Sequence, residues 1–164
     1  METNPARQHE DAAAATAPGD DAVVERSVTL DADVREAWEL ITTPDDLAGW
    51  LGTEVELDPT PGATGVVVDH DGTRRRLVID EVEHESRISW RWWVDGDEHA
   101  ASTVEITLSP ATDGTRIAVV ERPLPRPGSV TACASTQLVT RAAWEHRLLH
   151  LELLVLLATS LRVG

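Results

Sequence analysis

Trp144-Glu-His-Arg-Leu-Leu-His-Leu-Glu-Leu-Leu-Val-Leu-Leu-Ala158 is the stretch on which the fold turns. Between Thr140 and Leu161 the chain has no proline or glycine, and Leu, Ala, Glu and Arg, all strong helix formers, dominate it. The spacing predicts one long helix over 140–161. Trp144, Leu148, Leu151, Val155, Ala158 and Leu161 recur at three- and four-residue steps and make a stripe that needs cover. Leu149, Leu153, Leu156 and Leu157 extend the apolar surface beyond one face, so a second partner besides the helix's own sheet is expected, either a ligand or another subunit.

The cover for that helix must come from the preceding residues. At 164 residues the chain suits one domain, and residues 1–21, poor in large apolar side chains, read as a disordered acidic, Ala-rich tail ahead of a domain at 22–164. Val23 to Leu30 reads as a strand. Asp31 or Asp33 can cap a helix carrying Val34, Ala37, Trp38 and Ile41, and Pro44 stops it. A second short helix follows, with Thr43 as a possible cap and Gly49 at its end.

Beyond Trp50 the periodicity changes from helical to alternating. Strands are expected at 54–57, 65–69, 73–82, 87–94, 102–108 and 115–122, with Asp71-Gly72, Asp95-Gly96 and Asp113-Gly114 at the turns. Seven hairpin-linked strands imply an antiparallel sheet. Leu77 and Ile79, Ile88, Trp90 and Trp92, Val104, Ile106 and Leu108, and Ile117 and Val119 alternate with polar residues, so one face is covered and the other wet. The long helix is the cover. The loop from Pro123 to Gln137 is long enough for a lid, a binding loop or a mobile connection.

The totals exclude several functions. Net charge is -15 and every basic residue is an arginine, so nucleic acid and anionic membrane are not expected partners. Cys133 is the single cysteine, which leaves no internal disulfide and no thiolate cluster; it reads as an incidental thiol. The first residues lack a signal-peptide pattern, and Glu152 interrupts an apolar run too short to span a bilayer, so a cytoplasmic location is expected.

Val24-Glu-Arg-Ser-Val-Thr-Leu-Asp-Ala32, Ala37-Trp38, Thr43-Pro-Asp-Asp-Leu-Ala-Gly-Trp50, the Asp71-Gly72 hairpin, Glu81-Val82 through Trp92, Gly114-Thr-Arg-Ile117 and Trp144 through Leu148 follow one another in an order that resembles the SRPBCC or START-like superfamily. Within it the chain is most similar to the domain type named after the activator of the heat-shock chaperone ATPase. The resemblance implies an α+β helix-grip fold: a curved seven-stranded antiparallel sheet around a long C-terminal helix, with two short helices between the first two strands. It also implies binding of a hydrophobic small molecule or lipid between helix and sheet. Alternatives are a protein-interaction module, either a homodimer or a partner of a chaperone or regulator, and a polyketide cyclase- or dehydratase-like enzyme. No cofactor is implied.

The candidate site follows from the inward positions. Trp90 and Trp92 either stack on an apolar ligand or fill the core, with Leu77, Ile79, Ile106, Ile117, Leu148, Leu151 and Val155 as walls and Trp50 near the mouth. Trp93 belongs to the opposite face, available to a contact surface. Arg75, in the basic run Arg74 to Arg76, either grips an acidic ligand group or pairs with the plentiful Asp and Glu; Glu81 and Glu121 can likewise turn inward. His146 and His150 stand four apart on the helix, a metal-ligand spacing, but two ligands are not a site and solvent-facing histidines are the ordinary reading, so no metal is assigned. No nucleophile elbow or phosphate loop occurs, and no catalytic residue is assigned.

Overall fold

The alternating region folds into strands β1 (Val24–Leu30), β2 (Glu54–Glu56), β3 (Thr64–Val68), β4 (Arg74–Glu83), β5 (Arg87–Val94), β6 (Ser102–Ala111) and β7 (Gly114–Pro123). The computed structural model describes residues 23–125 and 134–162. The tail, Cys133 and most of the proline-bearing loop read as a possible lid lie outside the described residues.

All seven strands join one antiparallel sheet in the order β1-β7-β6-β5-β4-β3-β2. β1 and β2 are the two edges, so the chain crosses from one edge to the other through helices α1 (Val34–Thr42) and α2 (Pro44–Leu47). The sheet curls into a half-barrel, and the long helix α3 (Ala134–Arg162) lies in its grip. This is the α+β helix-grip fold. Starting at Ala134, α3 takes up part of the stretch read as loop.

Local chemistry sets the helix ends. Asp33 caps α1, its carboxylate accepting from the Glu36 backbone N–H at 2.9 Å. Asp33→Ala should therefore cost about 1 kcal/mol of stability, read as a shift in the urea midpoint. Thr43 occupies the N-cap of α2 but its side chain makes no capping bond; Pro44 at the first helical position has no N–H to leave unsatisfied there. Gly49 matters for packing, because a Cβ there would come within 2.7 Å of Leu154 Cδ1. Leu154 of α3 packs over the end of α2 at this point.

Register brings the inward residues into rows. Ile79 faces Trp90, Trp90 faces Val104, Val104 faces Glu121 and Glu121 faces Val24. Directly opposed residues share a face in an antiparallel pair, so Glu121 belongs to the covered side. Glu81 does not. Strict alternation from Leu77 and Ile79 would turn it inward, but a bulge between Ile79 and Glu81 shifts the register and sets Glu81 opposite Ser89. Its carboxylate lies on the wet face and pairs with Arg87 at 2.7 Å, which corrects the expectation that it lines the interior.

Trp144, Leu148, Leu151 and Val155 of α3 are buried, as their spacing predicts. The stripe ends there. Ala158 is exposed and Leu161 is 83% exposed, against the expectation that both continue it. Leu149, Leu153, Leu156 and Leu157 stand on the outer side and are about half exposed or more, so nothing in the chain's described residues covers them.

Candidate functional site

The ten apolar positions singled out above, from Trp50 to Val155, all lie in one buried core between α3 and the sheet. Four fully buried tryptophans dominate it: Trp50, Trp90, Trp92 and Trp144. An indole N–H taken out of water needs an acceptor. Trp50 donates to the Leu40 carbonyl at 2.9 Å, which ties the end of α2 to α1 and places this residue inside the core. Trp92 and Trp144 donate to the two oxygens of Glu121, at 2.9 and 2.6 Å. Trp90 is buried as deeply, yet its N–H meets no acceptor among the described residues. Its ring is edge-on to Trp92, with centroids 6.1 Å apart.

A buried ionic cluster adjoins these rings. Arg147 projects from α3 on the same inward line as Trp144 and Leu148; it donates through Nη2 to Asp69 at 2.7 Å and through Nε to the Leu51 carbonyl at 3.1 Å. Asp69 holds a second cation, accepting from Arg75 Nε at 2.7 Å. The guanidinium groups of Arg75 and Arg147 lie over the Trp92 ring at 4.7 and 5.1 Å, and Arg147 also lies 4.9 Å from the Trp144 ring. Trp92 and Trp144 are themselves stacked, 5.7 Å apart. Burial pushes the Arg147 pKa down, while the neighbouring Asp69 charge opposes that shift. A guanidinium stays protonated throughout. Arg75 is thus paired with an acidic neighbour.

Chemically, the cluster is arranged to hold position. Both Glu121 oxygens accept from indole N–H groups, which are donors only. Both cations face Asp69. Such an arrangement ties α3 to Asp69 just beyond β3, to Trp92 of β5 and to Glu121 of β7, and fixes the two indole rings.

A third grouping lies at the rim. His70, in the turn between β3 and β4, meets His146 and His150 of α3, with ring centroids 4.2 to 5.4 Å apart. Burial, then the adjacent His146 and His70, hold the His150 pKa below its ordinary value. Elsewhere, a surface recess of about 610 Å³ is bordered by Asp31, Asp33, Glu36, Pro110, Thr115 and Thr159, and contains none of the predicted site residues.

Sequence reasoning missed Asp69, Arg147, Trp144 as a hydrogen-bonding partner, and His70. Signals existed for the first two. Asp69 continues the inward parity of Gly65 and Val67, and Arg147 sits three residues after Trp144 on the covered line. Trp93, assigned to the outer face, is half-buried there with its own N–H lacking an acceptor among the described residues.

Residues 31–155 match the family described as activator of Hsp90 ATPase homolog 1-like protein. The chain belongs to that family. Solved structures agree with the activator-homologue fold. DynU16, a protein in the dynemicin biosynthetic locus, is 28% identical with a TM-score of 0.68 over 80% of this chain. The match covers 46% of DynU16, so the chain spans just under half of that protein's length. MLL2253 from Mesorhizobium loti is 20% identical with a TM-score of 0.69, covering 80% of this chain and 95% of its own. CalU16 from Micromonospora echinospora is 22% identical with a TM-score of 0.61, covering 81% and 74%. The last two likenesses concern the fold alone. No curated protein matches the sequence of this activator-homologue domain. None of its described helices is long and apolar enough to cross a membrane.

Proposed function

We propose that this domain binds a small, largely apolar molecule that carries one hydrogen-bond acceptor, held between α3 and the inner face of the sheet. The observation that carries the reading is Trp90. Leaving a buried donor unpaired costs about 1–3 kcal/mol, and an acceptor supplied by a ligand recovers that cost. Leu77, Ile79, Ile106, Ile117, Leu148, Leu151 and Val155 supply apolar walls around it, and Trp92 a stacking surface. Because these residues pack as one core, entry requires α3 to shift.

The test is titration of intrinsic tryptophan fluorescence with fatty acids, isoprenoids and aromatic polyketide-like compounds. The likeness to DynU16 supports including the last class. A saturable change with one class is expected, and Trp90→Phe should weaken binding of its carbonyl-bearing members by about tenfold, the equivalent of one net hydrogen bond. A flat response to every class would remove the reading.

A second reading rests on the exposed leucines of α3, Leu149, Leu153, Leu156, Leu157 and Leu161. A contiguous apolar face of this kind suits a protein partner, either a second copy or a chaperone or regulator. Light scattering that finds a monomer at high concentration would count against self-association. A cyclase- or dehydratase-like role has less support, since Glu121, the inward carboxylate in Trp90's own row, already accepts two indole N–H bonds.

A further inference from the structure

We infer that His70, His146 and His150 together bind a divalent transition-metal ion of the zinc type, with an open position for water. The three side chains each offer a ligand nitrogen, and these nitrogens all lie within 4.8 Å of one another. In a tetrahedral site with metal–nitrogen bonds of about 2.0–2.1 Å, ligand nitrogens stand about 3.3 Å apart. Closing the present arrangement therefore takes at most about 1.5 Å of imidazole movement, within reach of side-chain rotation.

The backbone already holds the ligands in place. His146 and His150 are one helical turn apart on one face of α3. His70 sits in a closed turn, where the Asp69 N–H donates to the Thr73 carbonyl, the Gly72 N–H to the Asp69 carbonyl and the Thr73 N–H to the Asp71 carboxylate, at 2.8 to 2.9 Å. Gly72 adopts φ +86°, which this turn requires and a side chain disfavours. The turn is then docked on the helix by the ion pair of Asp69 with Arg147. Asp69 directly precedes His70, and Arg147 lies between the two helical histidines, so the same contact that seats the turn gathers the three imidazoles. Arg147 does not oppose a cation with its full charge, since Asp69 faces it at 2.7 Å.

An independent sign is His150 Nδ1, a buried polar atom with no partner among the described residues. A ring nitrogen in that position lacks the acceptor or donor that ordinarily fixes an imidazole. The donor set selects the metal. Three neutral nitrogens suit zinc, copper, nickel or cobalt, and do not suit magnesium or calcium, which require oxygen ligands. His70 and His146 are exposed, so the ion enters from solvent and keeps a water ligand.

The site is tested with untagged, chelator-stripped full-length protein titrated with zinc chloride by calorimetry, alongside cobalt(II) absorption. One equivalent should bind, raise the melting temperature through binding to the folded state alone, and give cobalt the intense visible bands of a low-coordinate nitrogen site. His70→Gln and His146→Gln, both at exposed positions, should each weaken binding at least tenfold, and His146→Gln/His150→Gln should abolish it. His84→Gln, a histidine away from the cluster beside Trp38, should change nothing. Circular dichroism confirms that each variant is folded. Absence of a one-to-one event, or binding that survives His70→Gln undiminished, would overturn the inference.

Discussion

Arg147→Ala should lower the unfolding free energy by about 3–5 kcal/mol, the range for breaking a buried ion pair from one side. Arg147 is 5% exposed and Asp69 8% exposed, so neither group has water to replace the lost partner. The truncation leaves Asp69 with Arg75 alone, removes the donor to the Leu51 carbonyl, and takes away a cation lying over Trp92 and Trp144. Arg147→Lys should recover part of the loss, because an ammonium keeps the charge but cannot reach both acceptors through a planar fork. An exposed pair calibrates the scale: Arg76 with Asp95 also measures 2.7 Å, but its partners are 52% and 37% exposed. Arg76→Ala should leave the urea midpoint nearly where it is, because a solvated and screened pair adds little net stability. Urea unfolding followed by far-ultraviolet circular dichroism separates the two, and equal losses would contradict the burial argument.

Glu121→Ala should be comparably damaging, at about 2–6 kcal/mol, because it strands two buried indole donors and each costs about 1–3 kcal/mol. Glu121→Gln is the sharper variant. Its amide oxygen accepts from one indole, while its NH₂ group confronts the other N–H, so a loss of about 1–3 kcal/mol is expected. The near-ultraviolet circular dichroism of the stacked Trp92 and Trp144 should change with it. A Glu121→Gln protein as stable as the parent, with an unchanged aromatic spectrum, would mean that the carboxylate does not hold the two rings.

These two residues also mark how far the sequence could be read. The long helix, the hairpins at Asp71-Gly72 and Asp113-Gly114 and the inward parity of Trp90, Trp92 and Glu121 depend on local spacing, and local spacing is visible in a sequence. Glu81 departs from its expected face for a physical reason: one bulged residue after Ile79 inverts the parity of the rest of the strand, and nothing in Ile79-Asp-Glu-Val82 announces it. The Asp69–Arg147 pair spans 78 residues, and the meeting of His70 with His146 depends on it. Contacts of that separation are products of the tertiary fold, so a reading of α3 alone finds two histidines where the fold assembles three. The outer leucines of α3 were visible as a surplus of apolar surface, whereas the end of the buried stripe at Val155 depends on how far the sheet reaches over the helix.

The most direct test of the ligand-binding account is the indole region of a ¹H–¹⁵N correlation spectrum. Each of the six tryptophans contributes one indole N–H, and loss of a signal in Trp90→Phe should assign the one of interest. As an acceptor-bearing apolar ligand is titrated in, the Trp90 signal should move downfield and saturate, while that of Trp50, already bonded to the Leu40 carbonyl, stays near its place. A ligand that binds and leaves the Trp90 signal unmoved would contradict the account.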